Sequence, residues 1–286
     1  MSPDRVRDII ASIGHRAIKA RRQVLLGKGG EAIHNLRVAT RRLQAALEVF
    51  ASCLPERPRR RLEKRARKIR RGLGAQRNAW VLVRLLGRSS AGLDPVEKKF
   101  VNDLARRLKR SARPVEPHEE KRLPGLRGRL RSLLRDATAC AVAPRGTFLR
   151  DLADAVLTAR RTAREADPEA MHRLRIAIKR YRYALEVLAE AGTPGLEPAI
   201  LEARALQREL GRLHDLDVLI EVVRHRLRER GAASFLRRVV RRRGRQAART
   251  LRLLAGFSPA GATGPGRGAR PRRAASPAAV IGGTAA

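Results

Sequence analysis

The chain has 286 residues, which is enough for one large or two medium-sized domains with a substantial core. It carries 65 Lys and Arg against 27 Asp and Glu, for a formal net charge of +38 at pH 7. Because such an excess of one sign destabilises a compact state by self-repulsion, we expect a polyanionic partner. The sequence has no uncharged apolar run of membrane-spanning length and no apolar signal segment near its first residues, so we expect a cytoplasmic protein.

Helical signals follow one another along the chain, with apolar residues recurring at three and four positions rather than at two. Ser2, Pro3 and Asp4 form a helix start, with a capping hydroxyl, a proline in first position and an acid in the first turn. Glycine and proline then predict the helix breaks. These breaks lie near residues 27–30, 55–58, 87–92, 114–124, 144–146, 167–168, 192–198 and 231. The sequence therefore predicts an all-α protein.

Two motifs occur twice in the same order. Residues 31–42 read EAIHNLRVATRR and residues 169–180 read EAMHRLRIAIKR, 138 positions later. Residues 73–82 read LGAQRNAWVL and residues 210–219 read LGRLHDLDVL, at an offset of 137. Two matches at nearly one offset indicate a tandem duplication of a unit with at least four helices, which suits a bundle.

The duplication and the composition together predict the domain organisation. We expect one domain over residues 1–256, with a first helical repeat over about 3–113 and a second over about 144–256. The junction lies between the two repeats. Residues 257–286 are rich in Gly, Pro and Ala and cannot bury a core, so we expect a disordered tail.

Each copy of the first motif carries a basic stripe on one helix face. At about 100° per residue, His34, Arg37 and Arg41 lie opposite an apolar stripe that runs from Leu36 to Phe50. The second copy repeats the line with His172, Arg175, Lys179 and Arg182, and Arg42 and Arg180 flank the two lines. A solvated charged face is the alternative reading. Because an ordinary exposed helix mixes charge signs to gain i,i+4 pairs, these one-sign stripes indicate a binding surface.

The helix that follows each stripe is also basic. Its exposed face in the first copy carries Arg60, Lys64, Arg67, Lys68 and Arg71, and the second copy has Arg204 and Arg208. If four such helices surround an approximate two-fold axis, their basic faces converge on one groove. Arginine suits this role because its planar fork grips phosphate oxygens through paired, charge-assisted hydrogen bonds.

The duplicated His-x-x-Arg-x-x-x-basic-Arg string, followed each time by the Leu-Gly motif, resembles the CHAD family (conserved histidine α-helical domain) from about residue 3 to 256. The resemblance implies two antiparallel four-helix bundles with pseudo-two-fold symmetry. It also implies binding of inorganic polyphosphate in a basic groove between them, and association with polyphosphate granules. By this match the binding residues are His34, Arg37, Arg41, Arg42, His172, Arg175, Lys179 and Arg180, joined by Arg182 and the basic residues of the following helices.

The first copy departs from the second at several positions. Asn78 and Trp80 stand where the second copy has Asp215 and Asp217, and Gln44 replaces an arginine, which weakens the first basic stripe. We expect the two aspartates to pair with an arginine or a helix terminus rather than to act as catalytic acids.

The histidines of the stripes have two possible roles. Among arginines, the pKa of His34 and of His172 should fall toward the neutral form, which can still donate one hydrogen bond to a phosphate. The alternative is an interhelical hydrogen bond. Neither histidine has a second His or Cys one turn away, so we expect no metal and no other cofactor. Cys53 and Cys140 form no C-x-x-C pair, and we expect buried thiols rather than a disulfide framework or a zinc ribbon.

Catalysis is not expected from these motifs. A phospho-accepting histidine needs an acid beside it, and Asn35 and Arg173 occupy that place. A metal-dependent triphosphatase would need glutamates on strands, which the sequence does not predict. Non-specific nucleic-acid binding is the main alternative function, although 5 Phe, 2 Tyr and 1 Trp offer few rings for base stacking.

Overall fold

The computed structural model describes residues 2–111, 123, 125–135, 145–163 and 167–261. Regular structure in this part of the chain is entirely helical, which confirms the all-α prediction for it. The helices are α1 (Pro3–Leu25), α2 (Gly29–Val49), a 3-10 turn (Ala51–Cys53), α3 (Glu56–Gly72), α4 (Gly74–Gly87), α5 (Pro95–Ser111), α6 (Arg127–Arg135), α7 (Arg145–Thr162), α8 (Pro168–Glu190), α9 (Glu197–Arg224) and α10 (Ala232–Ala255). Among the described helices, none combines the length and apolar character needed to cross a membrane.

Side-chain caps fix the starts of α1 and α8. The Ser2 hydroxyl accepts a hydrogen bond from the backbone N–H of Arg5 at 3.3 Å, as the sequence predicts for α1. At the start of α8, the Asp167 carboxylate accepts from the backbone N–H groups of Glu169 at 2.9 Å and Ala170 at 3.2 Å. These caps satisfy donors that the first helical turn leaves free.

The two repeats differ at the Leu-Gly motif. In the first repeat Leu73 separates α3 from α4, a break that the sequence analysis did not predict. The equivalent Leu-Gly pair of the second repeat lies inside the continuous helix α9. Leu73 is flanked by Gly72 and Gly74, whereas the second copy has Glu209 and Gly211 at those positions. Two glycines lower helix propensity about twice as much as one, which favours the break in the first copy.

The core does not divide along the repeat boundary. α2 packs against α8, and one apolar core joins them through residues that include Leu47 and Leu185. A second core is formed by α4 and α5 of the first repeat with the end of α9 and the start of α10, and includes Phe100 and Phe235. Each core therefore combines helices from both repeats, and the two-bundle arrangement stays a prediction.

The start of α10 depends on a glycine. Gly231 has φ 83°, in the left-handed region, and a Cβ at this position would lie 2.7 Å from the carbonyl oxygen of Val96. The absence of a side chain lets α10 begin directly against α5. This contact sets the position of the arginines that follow along α10.

The predicted junction and tail lie largely outside the described residues. Within the junction the structure describes α6, which packs against α1 and α3. Of the predicted tail, residues 262–286 fall outside the described part, so its disorder and the domain boundaries stay predictions.

The state of Cys53 differs from the expected free thiol. Its side chain is fully buried in the first core, as expected, but it is part of a disulfide rather than a free thiol. Cys140 lies outside the described residues.

Candidate functional site

Six basic side chains gather where α2 packs on α8, and we call them the central cationic cluster. They are Arg37 and Arg41 of α2, Arg70 of α3, Arg77 of α4, and Arg175 and Lys179 of α8. The charge of Arg41 lowers the pKa of four other members, namely Arg37, Arg70, Arg175 and Lys179. Helices of both repeats thus bring like charges together, as the sequence predicts for the two basic stripes.

Burial and mutual repulsion lower the pKa values of the cluster. Burial is the largest cause and brings the pKa of Arg37, Arg70 and Arg175 to about 10, so these side chains stay charged at neutral pH. Burial, followed by the charges of Arg175 and Arg41, lowers the pKa of Lys179 to about 6. Lys179 is therefore mostly neutral at pH 7 until an anion approaches.

The guanidinium groups are held mainly by neutral acceptors. Arg37 Nη1 donates to the carbonyl oxygen of Arg70 at 2.5 Å, and Arg70 Nη1 donates to the carbonyl oxygen of Thr40 at 3.2 Å. Arg70 also donates to the side-chain oxygen of Gln44. In Arg175, the buried Nε has no hydrogen-bond partner among the described residues. Since carbonyl and amide oxygens carry no full charge, these contacts orient the arginines without neutralising them.

A depression of about 280 Å³ opens between α2, α3 and α8 beside the cluster. Arg41, Arg70 and Lys179 line it together with Gln44, Tyr183 and the ion pair of Glu48 with Arg180. Arginine and lysine donors that converge on one space match the several acceptor oxygens of a phosphate group.

Two of the predicted binding residues join the repeats instead. Arg42 Nη2 lies 3.1 Å from Glu190 Oε2, and Arg180 Nη2 lies 3.5 Å from Glu48 Oε2. Each ion pair links the middle of one central helix to the C-terminal part of the other. These pairs partly neutralise Arg42 and Arg180, so the basic stripes are not uniformly free of acids.

Arg182 and Arg204 are paired as well. Arg182 Nη1 and Arg204 Nη2 each lie 2.7 Å from Glu186 Oε1, and Glu186 is buried. Arg182 Nε also donates to Gln207 Oε1 at 2.8 Å. Arg182 is buried, so it supports the packing of α8 on α9 and does not present a free charge.

The Arg182–Gln207 contact is the mirror of one in the first repeat. At the repeat offset, Arg182 corresponds to Gln44 and Gln207 corresponds to Arg70. The arginine and the amide have exchanged helices while the hydrogen bond between them is kept. The charge that the first stripe loses at Gln44 is thus supplied by Arg70 from α3.

The remaining basic candidates lie on the surface. Lys64, Arg67, Lys68, Arg71 and Arg208 are exposed and have no ion pair with an acid of the described chain. Lys64, Lys68 and Arg71 line an open depression of about 540 Å³. Arg67 is within electrostatic reach of the central cluster, because its charge lowers the pKa of Arg70. These residues could extend a binding surface but do not belong to the cluster itself.

The histidines of the two basic stripes have different neighbours. His172 Nδ1 lies 3.4 Å from His214 Nδ1, with the ring centroids 4.8 Å apart, which is the interhelical contact that the sequence left as an alternative. Burial, then Arg175, lowers the pKa of His172, and the pKa of His214 falls to about 3. For His34, burial and then Arg77 lower the pKa. The predicted direction is confirmed, although burial outweighs the arginines.

The two aspartates of the second motif pair with arginines, which confirms the prediction made for them. Asp215 Oδ1 lies 3.6 Å from Arg77 Nη1, and Asp217 Oδ1 lies 2.9 Å from Arg243 Nε. Burial raises the pKa of Asp215 against the opposing effect of Arg77. Across the described residues, no group of three His, Cys, Asp or Glu side chains is placed to hold a metal ion.

Sequence reasoning missed three residues of the site. Arg70 lies off the predicted stripe of α3. The repeat offset aligns Arg70 with Gln207 and Gln44 with Arg182, and this exchange of arginine and glutamine could have identified Arg70 from the sequence. Arg77 and His214 occupy equivalent positions of the Leu-Gly motif, facing His34 and His172 respectively. Their shared position, three residues after the glycine of the motif, could have marked them as partners of the histidines.

The fold and the site define an internally repeated, all-helical protein that concentrates positive charge between its central helices. The CHAD domain family matches residues 9–224, well over half of the chain, and the protein belongs to this family. No curated protein matches the sequence.

Two solved structures share the fold. The CHAD domain from the plant Ricinus communis has 22% identity and a TM-score of 0.60, with 91% of this chain and 93% of that chain covered. PptA from Streptomyces chartreusis has 16% identity and a TM-score of 0.62, with 89% of this chain and 98% of that chain covered.

Proposed function

We propose that the protein binds inorganic polyphosphate at the central cationic cluster, without catalysis, and associates with polyphosphate granules. The observation that supports this most is the cluster itself, in which Arg77 alone has an ion pair with an acid of the described chain. Bringing like charges together in a partly buried place is unfavourable in the free protein. A polyanion would relieve that repulsion and supply the missing acceptors.

The aromatic residues favour polyphosphate over nucleic acid. Six of the eight aromatic side chains are buried, and Phe148 and Trp80 are partly buried. Trp80 packs on Gly30 so closely that no Cβ would fit there, and the guanidinium of Arg84 lies 4.7 Å from its ring centroid. Since base stacking needs open ring faces, a chain of phosphates without bases suits this surface better.

Competition between the two polyanions tests the proposal. Long-chain polyphosphate should displace labelled duplex DNA from the protein at moderate salt, and an excess of DNA should displace polyphosphate poorly. The logarithm of the affinity should fall by about 0.7 to 0.9 per phosphate contact for each decade of salt. Preference for DNA, or an affinity that does not change with salt, would contradict polyphosphate binding at an electrostatic site.

The absence of catalysis is a separate part of the proposal. The histidines nearest the cluster are neutral and pack against basic or histidine side chains, an arrangement without a paired nucleophile and base. We expect no release of phosphate from polyphosphate, triphosphate or ATP with magnesium or manganese. Release proportional to purified protein, and lost in R37Q/R41Q, would show an enzyme instead.

Granule association can be examined in cells that accumulate polyphosphate. A fluorescent fusion of the full chain should coincide with the granules. The R37Q/R41Q variant should spread through the cell at equal expression, because its ligand contacts are removed. Granule localisation that persists in the variant would mean that another surface directs it.

A further inference from the structure

A second group of arginines lies on α10, away from the central cationic cluster. Arg238, Arg241, Arg242 and Arg245 follow a three-and-four spacing, so they share one face of α10. These four arginines line a depression of about 370 Å³ together with Arg88 at the end of α4. Five arginines therefore line one depression, and none of them belongs to either of the duplicated motifs.

Most of this charge is uncompensated. Arg238 Nε lies 2.9 Å from the buried carboxylate of Glu97, which neutralises it. Arg242 Nη1 donates to Ser89 Oγ at 2.7 Å, a neutral partner that fixes its direction. Arg88, Arg241, Arg242 and Arg245, which we call the outer arginine site, have no ion pair with an acid among the described residues. The site thus keeps about four positive charges within reach of one ligand.

A second depression adjoins the outer arginine site and is lined by a partner of the central cluster. A neighbouring depression of about 230 Å³ lies between α4, α9 and α10, and shares Arg88 and Arg242 with the first. Its lining also includes Arg84, Arg212 and Asp215. Asp215 pairs with Arg77, so one residue of this lining contacts a member of the central cluster.

We infer that the outer arginine site binds the distal part of the same polyphosphate chain, so that the protein selects long chains. This inference rests on the proposed function. Its ligand must be rich in phosphate and extended, because the donors are arginines placed along two helices rather than around one anion. A short anion held at the central cluster would not reach the outer arginine site, whereas a long chain would contact both.

The test compares chain lengths in one variant. R88Q/R241Q/R245Q removes three exposed charges and keeps Arg242, whose hydrogen bond positions Ser89. Affinity for long-chain polyphosphate should fall at least about tenfold, and the salt slope should shrink by about two to three units, while tripolyphosphate binding stays unchanged. R5Q/K19Q/R22Q removes the same charge from exposed positions of α1 and should leave both ligands unaffected. Circular dichroism should show equal helicity in all three proteins.

Four outcomes would overturn the inference. Equal losses for long-chain polyphosphate and tripolyphosphate would mean a general charge effect, as would the same loss in the α1 variant. No loss for either ligand would mean that the outer arginine site does not bind polyphosphate. Binding at the central cationic cluster would still stand if R37Q/R41Q abolishes it. A loss confined to duplex DNA would assign the site to nucleic acid.

Discussion

The two repeats present different chemistry to one site. The first repeat contributes four arginines to the central cationic cluster, and arginine is the basic side chain that keeps its charge in proteins. The second contributes Arg175 and a largely neutral Lys179, with the neutral pair His172 and His214 behind them. The wall from the first repeat therefore carries fixed charge, whereas the wall from the second combines the fixed charge of Arg175 with Lys179, which gains a proton when an anion arrives. The two copies of the motif thus supply basic side chains with different protonation behaviour.

The exchange of Arg70 and Gln44 for Gln207 and Arg182 shows what the fold preserves. Both repeats keep an arginine–amide hydrogen bond between consecutive helices. In the second repeat a buried glutamate neutralises the arginine, and in the first the arginine joins the central cluster. The arginine–amide contact is thus common to both repeats, whereas only the arginine of the first repeat lacks an acidic partner among the described residues.

The largest expected effect comes from the fixed-charge wall. R37Q/R41Q should lower polyphosphate affinity by about a hundredfold or more at neutral pH, because each charge-assisted contact contributes about 1.5–3 kcal/mol before screening. R175Q/K179Q should cost about tenfold, since Lys179 is mostly neutral before binding. Isothermal titration at one salt concentration measures both. Equal losses from the two walls would contradict the asymmetry.

The titratable wall predicts a pH dependence. Bound phosphate raises the pKa of Lys179 from about 6 toward its ordinary value, so the complex holds more protons than the free protein. Affinity should therefore fall as pH rises above about 6, by about tenfold between pH 6 and 9. In K179R the side chain stays charged, and the fall should be much smaller. Titrations in buffers of different ionisation enthalpy would report the proton uptake directly, and parallel profiles for the two proteins would exclude Lys179 as its source.

The exchanged pair predicts coupling between positions 44 and 70. R70Q should lose about fivefold to tenfold in affinity, and adding Q44R should recover most of the loss by placing the charge on α2. The same double variant should also recover thermal stability lost in R70Q, because the arginine–amide hydrogen bond is restored. A double-mutant cycle that shows simple additivity in both measurements would mean that the contact does not position the charge.

The smallest effects should come from the stripe histidines. Their pKa values are lowered, so H34Q and H172Q remove a neutral donor rather than a charge. Affinity at pH 7.5 should change by no more than about threefold, consistent with loss of one neutral hydrogen bond. A loss as large as that of R37Q/R41Q would show that these histidines are protonated in the complex.

The sequence by itself determined the helices and their faces. Capping by Ser2 and the three-and-four spacing of apolar residues are local, so the start of α1 and the position of Arg37, Arg41, Arg175 and Lys179 on one helix face could be predicted. The break at Leu73 was missed, because the glycines beside it are tolerated in some helices and interrupt others.

Only the tertiary structure decided which basic residues of the described chain remain without an acidic partner. Arg42 meets Glu190 across 148 positions, and Arg180 of α8 meets Glu48 of α2, so both leave the set of free cations. Arg70 joins it from outside the predicted stripes, and Arg77 joins the central cluster while paired with Asp215. Helical periodicity sets the direction of a side chain around its own axis, but the carboxylate it meets depends on how separate helices pack, and a single basic stripe does not contain that information.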